Sequence, residues 1–363
     1  MSDLRDSVTQ LVNDFVEISA GISLESSGSQ IRIETEGRAM SLNLVLSFPM
    51  RTAIPDLEKS LRACLIANHG VDSVSINFVQ EIVSNIGRQS VKPIHGIKNI
   101  LVVASGKGGV GKSTTAANLA LALAHDGAKV GLLDADIYGP SQARMMGLTG
   151  QRPSSRDGKT FEPLEAFGIK VMSIGLLVDE EQPMVWRGPM VTQALTQLLN
   201  DCHWGDLDYL VVDMPPGTGD IQLTLSQRVP ISGAVIVTTP QDIALLDARK
   251  GLKMFEKVGV PVLGIVENMS THVCSNCGHE EHIFGAGGGA RMAKQYGVDL
   301  LAELPLDIRI REQADDGKPT VVAEPNSDLA QAYVSMARRT SARLARYAVQ
   351  ASTSIPKIVI EET

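Results

Sequence analysis

Apolar residues follow helical and alternating spacings in turn through the first 90 residues of the chain. A helical stretch, an alternating stretch and a second helical stretch succeed one another, and a further strand-like run covers residues 71–79. The residues concerned are Leu4, Val8, Leu11, Val12 and Phe15, then Ile31, Ile33, Leu42, Leu44 and Leu46, then Leu57, Leu61 and Leu65 after Pro55. This order of periodicities predicts a small α+β domain over residues 1–90.

From residue 98 onward, short apolar runs alternate with helical patterns. The runs are 100–104, 130–133, 209–212, 235–238 and 262–266. They are rich in β-branched residues and apolar on both faces, as strands covered by helices on both sides must be. The pattern predicts an α/β domain over 99–350 with a mostly parallel, doubly wound sheet. We expect 91–98 to be a linker and 351–363 a C-terminal tail, in which 358–360 could add an edge strand.

Composition and charge limit the classes of function. Of the 363 residues, 44% are hydrophobic and 20% charged, which excludes disordered, collagen-like and coiled-coil classes. The formal net charge of −8 argues against nonspecific binding to nucleic acid or anionic membrane. The first residues do not resemble a secretory signal, and no apolar run approaches the roughly 18 residues of a membrane span. We therefore expect a cytoplasmic protein without nucleic-acid or membrane partners.

The run 106–113, GKGGVGKS, fits the phosphate-binding pattern GxxxxGK[ST] between a predicted strand and a predicted helix. Glycines let backbone amides surround a phosphate at the helix N-terminus. Lys112 is expected at the β- and γ-phosphate oxygens, and Ser113 on Mg²⁺. The alternative is a glycine turn without a ligand, against which the complete match between strand and helix argues.

Acidic side chains follow two predicted strands. Asp134 and Asp136 are two residues apart, so both can face the phosphate edge of the sheet. A helix N-cap is the alternative role for one of them. Asp213 ends another strand, where a Mg²⁺-ordering acid belongs. The following run 214–219, MPPGTG, suits a switch loop.

Residues 268–271, NMST, bear on the choice of nucleotide. Guanine readers of related folds carry Asn-Lys-x-Asp after a late strand, with the acid on the guanine N–H groups. This chain has no acid there. The sequence therefore favours ATP over GTP. Asn268 could also be a turn-forming residue at a strand end.

The close pair Cys274 and Cys277 is distinct from the isolated Cys64 and Cys202, and four cysteines exclude a disulfide framework. A redox dithiol is disfavoured because that motif normally starts a helix. A structural zinc site within one chain would be completed by histidines, namely His272, His279 or His282. Two chains could instead supply the four thiolates of a [4Fe-4S] cluster.

Several motifs together resemble one family. The second lysine of the phosphate loop, Lys107, resembles the deviant P-loop of the MinD, ParA and nitrogenase iron-protein class. The further motifs are DADIYGPS at 134–141, WRGPM at 186–190, DMPPGTGD at 213–220, TTPQD at 238–242, and CxxC at 274–277 followed by HIFGAGGG. In this order they resemble the Mrp/ApbC iron-sulfur cluster carrier ATPases over about 95–345.

The resemblance implies an ATP-hydrolysing P-loop homodimer that holds a labile [4Fe-4S] cluster between the paired Cys274 and Cys277. Such a carrier would exchange the cluster with scaffold proteins and apo iron-sulfur proteins. Catalytic roles would fall to Lys107, reaching the partner's phosphates, to Lys112, and to Asp136, positioning the attacking water. Magnesium would be held by Ser113, Asp134 and Asp213. The nucleotide would be bound by Gly106, Lys107, Gly108, Gly109, Val110, Gly111, Lys112, Ser113, Thr114 and Asn268, the last contacting adenine.

The N-terminal domain is similar to a small domain of iron-sulfur assembly, which often has a cysteine before the proline of its second helix. Here Ile54 precedes Pro55, so partner docking is the favoured role. Cys64 is expected to be buried.

Two other functions remain open. A MinD/ParA-like positioning ATPase, with zinc at the CxxC pair, would use the basic helix 329–349. That helix could instead cover the sheet with its apolar face. The residues concerned are Arg338, Arg339, Arg343 and Arg346, against Tyr333, Met336, Leu344 and Tyr347. A reductase like the nitrogenase iron protein is the other possibility.

Overall fold

The computed structural model describes residues 2–36, 39–69, 71–85, 91–155, 157–177, 188–274 and 276–353. The chain divides into two compact units. One contains Met1–Asn85 together with Ser341–Thr363, and the other contains Ile86–Thr340.

The first unit is a three-stranded sheet with two helices. In chain order its elements are α1 (Ser2–Ala20), β1 (Gln30–Glu36), β2 (Ala39–Leu46), α2 (Ile54–His69) and β3 (Ser73–Gln80). Strand β2 is central, antiparallel to β1 and parallel to β3. Alternate residues of β2 are buried among the apolar faces of both helices. The fully buried side chains include Val8, Val12, Val16, Leu42, Leu44, Leu46, Leu57, Leu61 and Leu65. These are the positions that the periodicity marks as core.

The second unit contains an eight-stranded sheet within the described residues. In chain order the strands of the whole unit are β4 (Ile100–Ser105), β5 (Val130–Asp134), β6 (Leu164–Ala166), β7 (Ile169–Ser173), β8 (Tyr209–Asp213), β9 (Gly233–Thr238), β10 (Val262–Glu267), β11 (His272–Val273), β12 (Glu280–Glu281) and β13 (Asp299–Glu303). Its helices are α3 (Lys112–His125), α4 (Gln142–Met145), α5 (Gly188–Asn200), α6 (Asp220–Arg228), α7 (Asp242–Lys257), α8 (Gly288–Tyr296), α9 (Ile308–Asp315) and α10 (Thr320–Ala323). Strands β11 and β12 form a separate antiparallel ribbon.

The sheet order is β13-β10-β9-β4-β8-β5-β7-β6, and every pair is parallel except β6 with β7. Strands β8, β5, β7 and β6 lie on one side of β4, and β9, β10 and β13 lie on the other. Strands β4, β5, β8, β9 and β10 are buried throughout because helices cover both faces. The predicted α/β class with a mostly parallel sheet is confirmed.

Register brings the carboxyl ends of the central strands to one edge. Asp213, at the end of β8, pairs in register with Val103 of β4 and with Asp134 of β5. In an open parallel sheet, ligands bind outside these ends, where the strand order reverses. The loops after β4, β5, β8, β9 and β10 therefore share one edge.

The C-terminal helix, Asp328–Thr353, contributes to both units. Its earlier part buries Tyr333 and Met336, and Arg338 makes a two-point ion pair with Asp126 at 2.7 and 3.2 Å. In the part from Ser341, the buried Arg343 donates to the carbonyls of Ala20 and Gly21 at 3.2 and 2.9 Å.

The division of this helix differs from the sequence boundary. The sequence interpretation placed the whole helix, to residue 350, in the ATPase domain, whereas the segment from Ser341 groups with the N-terminal unit. The reason is local packing, since Ala342 lies in the apolar core of that unit. The expected edge strand 358–360 lies outside the described residues. No helix in the described ranges is long and apolar enough to cross a membrane.

Replacing Arg338 with alanine should destabilise the second unit by about 3–5 kcal/mol, because the buried carboxylate of Asp126 would lose the two charged hydrogen bonds that Arg338 donates. Urea unfolding followed by circular dichroism measures the change. Arg311→Ala is the matched control, since the Arg311 side chain is 62% exposed and pairs with surface acids. It should cost at most about 1 kcal/mol. Equal effects of the two changes would contradict a structural role for the buried pair.

Candidate nucleotide site and cysteine hairpin

The phosphate loop lies between β4 and α3, and close packing fixes two of its glycines. Gly111 has a φ of +81°, and a Cβ there would lie 2.1 Å from the side-chain nitrogen of Asn268. A Cβ on Gly106 would lie 2.1 Å from the backbone carbonyl carbon of Asp247 in α7. Gly108 has open space around it. The loop therefore packs closely against α7 and against the segment after β10.

Asn268 supports the phosphate loop directly. Its side-chain nitrogen donates to the carbonyl of Val110 at 2.9 Å, and its backbone N–H donates to Thr238 at 2.7 Å. The residue is buried. The structure thus gives Asn268 a positioning contact that sequence reasoning missed, while its contact with adenine stays a prediction.

Lys112 and Asp213 form a buried ion pair at the edge of the sheet. The ammonium of Lys112 contacts the Asp213 carboxylate, and it lies 3.7 Å from Asp136 Oδ2 and 3.2 Å from Ser113 Oγ. Lys112 and Asp213 are 6% and 0% exposed. The structure therefore brings together four residues that the motifs had indicated separately.

Asp134 satisfies backbone amides in the segment that follows it. Its carboxylate accepts hydrogen bonds from the N–H groups of Asp136, Ser141 and Gln142 and from the Ser173 hydroxyl, at 3.0–3.1 Å. Burial and the nearby Asp213 raise the pKa of Asp134 to about 7. Asp134 thus reaches the first backbone N–H groups of α4 from an earlier segment, whereas the N-cap residue of that helix is Ser141, so the N-cap alternative does not describe Asp134. Support of magnesium by Asp134 stays a prediction.

Gln142 is a site residue that the motifs did not single out. Its side-chain nitrogen donates to Asp213 Oδ2 and to the Ser113 carbonyl, each at 2.9 Å, so α4, α3 and β8 meet at one amide. Its side-chain oxygen is buried and meets no hydrogen-bond partner among the residues that the structure describes. The sequence signal that could have pointed to Gln142 is its position, as a polar residue at the start of a short helix directly after the acidic motif.

The charge of the cluster fits a divalent cation. Among the described residues, the carboxylates of Asp136 and Asp213 both face the ammonium of Lys112, so two acids share one positive charge. Burial also raises the pKa of Asp136. Carboxylate and hydroxyl oxygens are the ligands that Mg²⁺ prefers, so Asp213 and the Ser113 hydroxyl have the chemistry to hold it.

The predicted switch loop is attached to the phosphate-loop strand. Met214 N–H donates to Val103 at 3.0 Å, and Gly217 N–H donates to Ser105 at 2.9 Å. Lys107 is half-buried, its carbonyl accepts from the Ser105 hydroxyl, and its ammonium makes no ion pair within the described residues. The first residues of the 186–190 motif, Trp186 and Arg187, lie outside the described residues.

The cysteine pair lies between β11 and β12, which pair as a short antiparallel ribbon; we call residues 272–281 the cysteine hairpin. Cys274 N–H donates to the His279 carbonyl at 2.9 Å, and Gly278 N–H donates to the Cys274 carbonyl at 2.8 Å. Cys277 is exposed and Cys274 half-buried. Hydrogen bonds from the backbones of Cys277 and Asn276 lower the pKa of Cys274. A turn that stabilises a thiolate suits a metal or cluster ligand.

The other two cysteines differ from this pair. Cys202 is buried, and burial raises its pKa to about 12. Cys64 is half-buried rather than buried.

Two of the histidines around the pair are anchored to backbone carbonyls through Nδ1. His272 Nδ1 donates to the Leu306 carbonyl at 3.1 Å, and His282 Nδ1 donates to the Ser270 carbonyl at 2.9 Å. The side chain of His279 is exposed. Across the described part of the chain, no three His, Cys, Asp or Glu side chains come together to hold a metal.

The family follows from a comparison with known proteins. The model described as ParA, NUBPL iron-transfer P-loop NTPase, matches residues 96–341, well over half of the chain. The chain belongs to this family. The match spans the sheet, the phosphate loop and the cysteine hairpin, and it confirms the family resemblance of the motifs.

Individual relatives agree with this membership. An iron-sulfur cluster carrier protein of Pseudomonas fragi is 62% identical over 269 residues, covering 74% of this chain and 94% of that protein. The carrier protein of Haemophilus influenzae is 48% identical over 343 residues, covering 94% and 93%. A nucleotide-binding protein of Archaeoglobus fulgidus, solved with ADP, is 39% identical with a TM-score of 0.57, covering 64% of this chain and 91% of that one.

Gly106→Ala should destabilise the protein by about 1–3 kcal/mol, because the new methyl group overlaps the α7 backbone. Chemical denaturation measures this without a ligand. Gly108→Ala, two residues away in the same loop and with open space around it, should change stability by less than about 1 kcal/mol. A stable Gly106→Ala protein would refute the tight seating of the loop on α7.

Proposed function

We propose that the chain is an ATP-hydrolysing carrier that holds a labile [4Fe-4S] cluster across a homodimer and transfers it to apo-proteins. The observation that carries the proposal is the Cys274–Cys277 turn, in which Cys277 is exposed and the pKa of Cys274 is lowered, and which follows the carboxyl end of β10 as the phosphate loop follows that of β4. Relatives over most of the chain are named iron-sulfur cluster carriers, which favours this function over a positioning ATPase.

A homodimer completes the cysteine site. A [4Fe-4S] cluster takes four thiolates, and each chain offers one pair, with Cys277 exposed and Cys274 half-buried, so two pairs facing across a twofold axis supply the set. The cluster is cargo in this scheme. Scaffold proteins would load it, and apo iron-sulfur proteins would receive it. The thiols must stay reduced, which agrees with a cytoplasmic location.

Exposed apolar side chains support association at this edge. Ile243 and Leu246, on α7 directly after the end of β9, are 70% and 53% exposed. Tyr138, which follows Asp134 and Asp136, is 60% exposed, and Val273 of the cysteine hairpin is 53% exposed. All follow the carboxyl ends of parallel strands. Apolar surface grouped at one edge marks an interaction surface.

Hydrolysis would use the buried charge cluster. The Lys112 ammonium would leave Asp213 for the phosphate oxygens, and the released carboxylate, with the Ser113 hydroxyl, would hold Mg²⁺. Bound magnesium supplies neutralisation of the phosphate charge. Asp136 lies within reach of Lys112 and would orient the attacking water. Lys107 would bring positive charge to the partner's phosphates.

Replacing both Cys274 and Cys277 with alanine should eliminate bound iron and sulfide after anaerobic reconstitution, while ATP binding and the fold persist. Iron, sulfide and oligomer mass are measured together. Cys64→Ala is the matched control, since this half-buried thiol lies in the other unit and should leave the cluster intact. Iron and sulfide retained by the double variant, or one zinc ion per wild-type chain, would overturn the bridging cluster.

The trans role of Lys107 predicts complementation between two inactive variants. Lys107→Ala should lower ATP turnover on the order of 10²-fold or more with ATP binding retained. Lys112→Ala should abolish ATP binding. In a mixed dimer, the nucleotide on the Lys107→Ala chain meets the intact Lys107 of its partner. An equal mixture should therefore recover about a quarter of wild-type turnover, since about half of the dimers are mixed with one complete site each.

Native mass spectrometry verifies that the mixed dimers form. Mixed dimers without recovered turnover would refute action of Lys107 across the interface.

A further inference from the structure

A short segment joins the phosphate loop to the cysteine hairpin. Asn268, which holds the Val110 carbonyl, precedes Cys274 by six residues. Between them, Met269 has a φ of +57°, in the left-handed region that a side chain with a Cβ disfavours. Such a conformation persists only when surrounding contacts determine it. We call residues 267–270 the connecting turn.

Several hydrogen bonds fix the connecting turn. The buried carboxylate of Glu267 accepts from the Ser270 hydroxyl at 2.9 Å and from the backbone N–H of Gly289 in α8. Ser270 N–H donates to the Leu304 carbonyl at 2.9 Å, and Leu304 N–H donates back to the Glu267 carbonyl at 2.8 Å. The turn is therefore attached to the end of β10 and to the loop after β13.

The hairpin is tied to this turn by a histidine. His282 follows β12, and its Nδ1–H donates to the Ser270 carbonyl at 2.9 Å. A second histidine, His272, anchors the other side of the hairpin to Leu306, away from the turn. The bond made by His282 thus closes a loop that contains both cysteines and ends two residues from Asn268.

We propose that Asn268 and His282 are positioning residues that couple the occupancy of the phosphate loop to the geometry of Cys274 and Cys277. Phosphate binding at the loop amides would shift the Val110 carbonyl, which Asn268 holds. Asn268 transmits that change to the connecting turn, and His282 transmits it from the Ser270 carbonyl to the hairpin. The importance of this coupling for cluster transfer rests on the proposed function. The chain of contacts itself does not.

Cysteine alkylation tests the coupling in the full-length, reduced protein without iron. The rate of Cys277 modification by iodoacetamide is measured by mass spectrometry with and without Mg²⁺ and ATP. ATP should change the wild-type rate by about five-fold or more. His282→Ala should bring the ratio of the two rates close to one, while the ATP dissociation constant stays within about two-fold of the wild-type value.

Two matched variants separate coupling from a general loss of structure. His282→Asn places an amide N–H near the position of Nδ1 and should restore the ATP effect. His279→Ala removes an exposed side chain from the same hairpin and should leave the effect at its wild-type size. An absent ATP effect in the wild type, an unchanged effect in His282→Ala, or failure of His282→Asn to restore it would each overturn the proposal.

Iron and sulfide analysis distinguishes this proposal from the carrier function. If the double cysteine variant retains its cluster, the carrier proposal fails, and the alkylation ratios still decide the coupling. If the cluster is lost as expected but His282→Ala keeps the ATP effect, the carrier stands and the coupling through His282 fails.

Discussion

The nucleotide edge of the protein depends on the buried ion pair between Lys112 and Asp213. The two residues are 101 positions apart and meet because β4 and β8 are neighbours in the sheet. A charge at this depth is stable only with a partner and satisfied hydrogen bonds. Asp213 also accepts from Gln142, whose backbone N–H reaches Asp134. The ion pair and the hydrogen bonds of Gln142 therefore hold three segments together. These are the helix after the phosphate loop, the acidic segment after β5 and the end of β8.

Much of the fold could be predicted because it rests on local patterns. The five buried strands, the phosphate loop and the elements of the N-terminal unit all appear in short stretches of sequence. Strands β6, β7 and β13 were missed. They lie toward the edges of the sheet, β6 has only three residues, and β6 and β13 are only partly buried, which weakens their apolar signal. Motif spacing placed the acids at the correct edge because parallel strands carry their ends together.

The partners of the site residues could not be predicted in this way. The bond from Asn268 to Val110 spans 158 positions, and the bond from Gln142 to Asp213 spans 71. These contacts follow from strand order and register, which a local pattern does not contain. The arginines of the C-terminal helix show the same limit. Their spacing resembles a basic surface, yet Arg338 and Arg343 are directed to a buried acid and to the end of α1.

The small size of the cysteine hairpin has a consequence for how a bound cluster is exchanged. Strands β11 and β12 contribute two residues each, too few to be stable without neighbours. The ribbon therefore belongs to the part of the protein that opens at low free energy, whereas the central strands open only with the whole domain. The thiols can change their separation and exposure while the sheet stays folded. Release of a bound group would then require only local opening of the hairpin, without unfolding of the sheet.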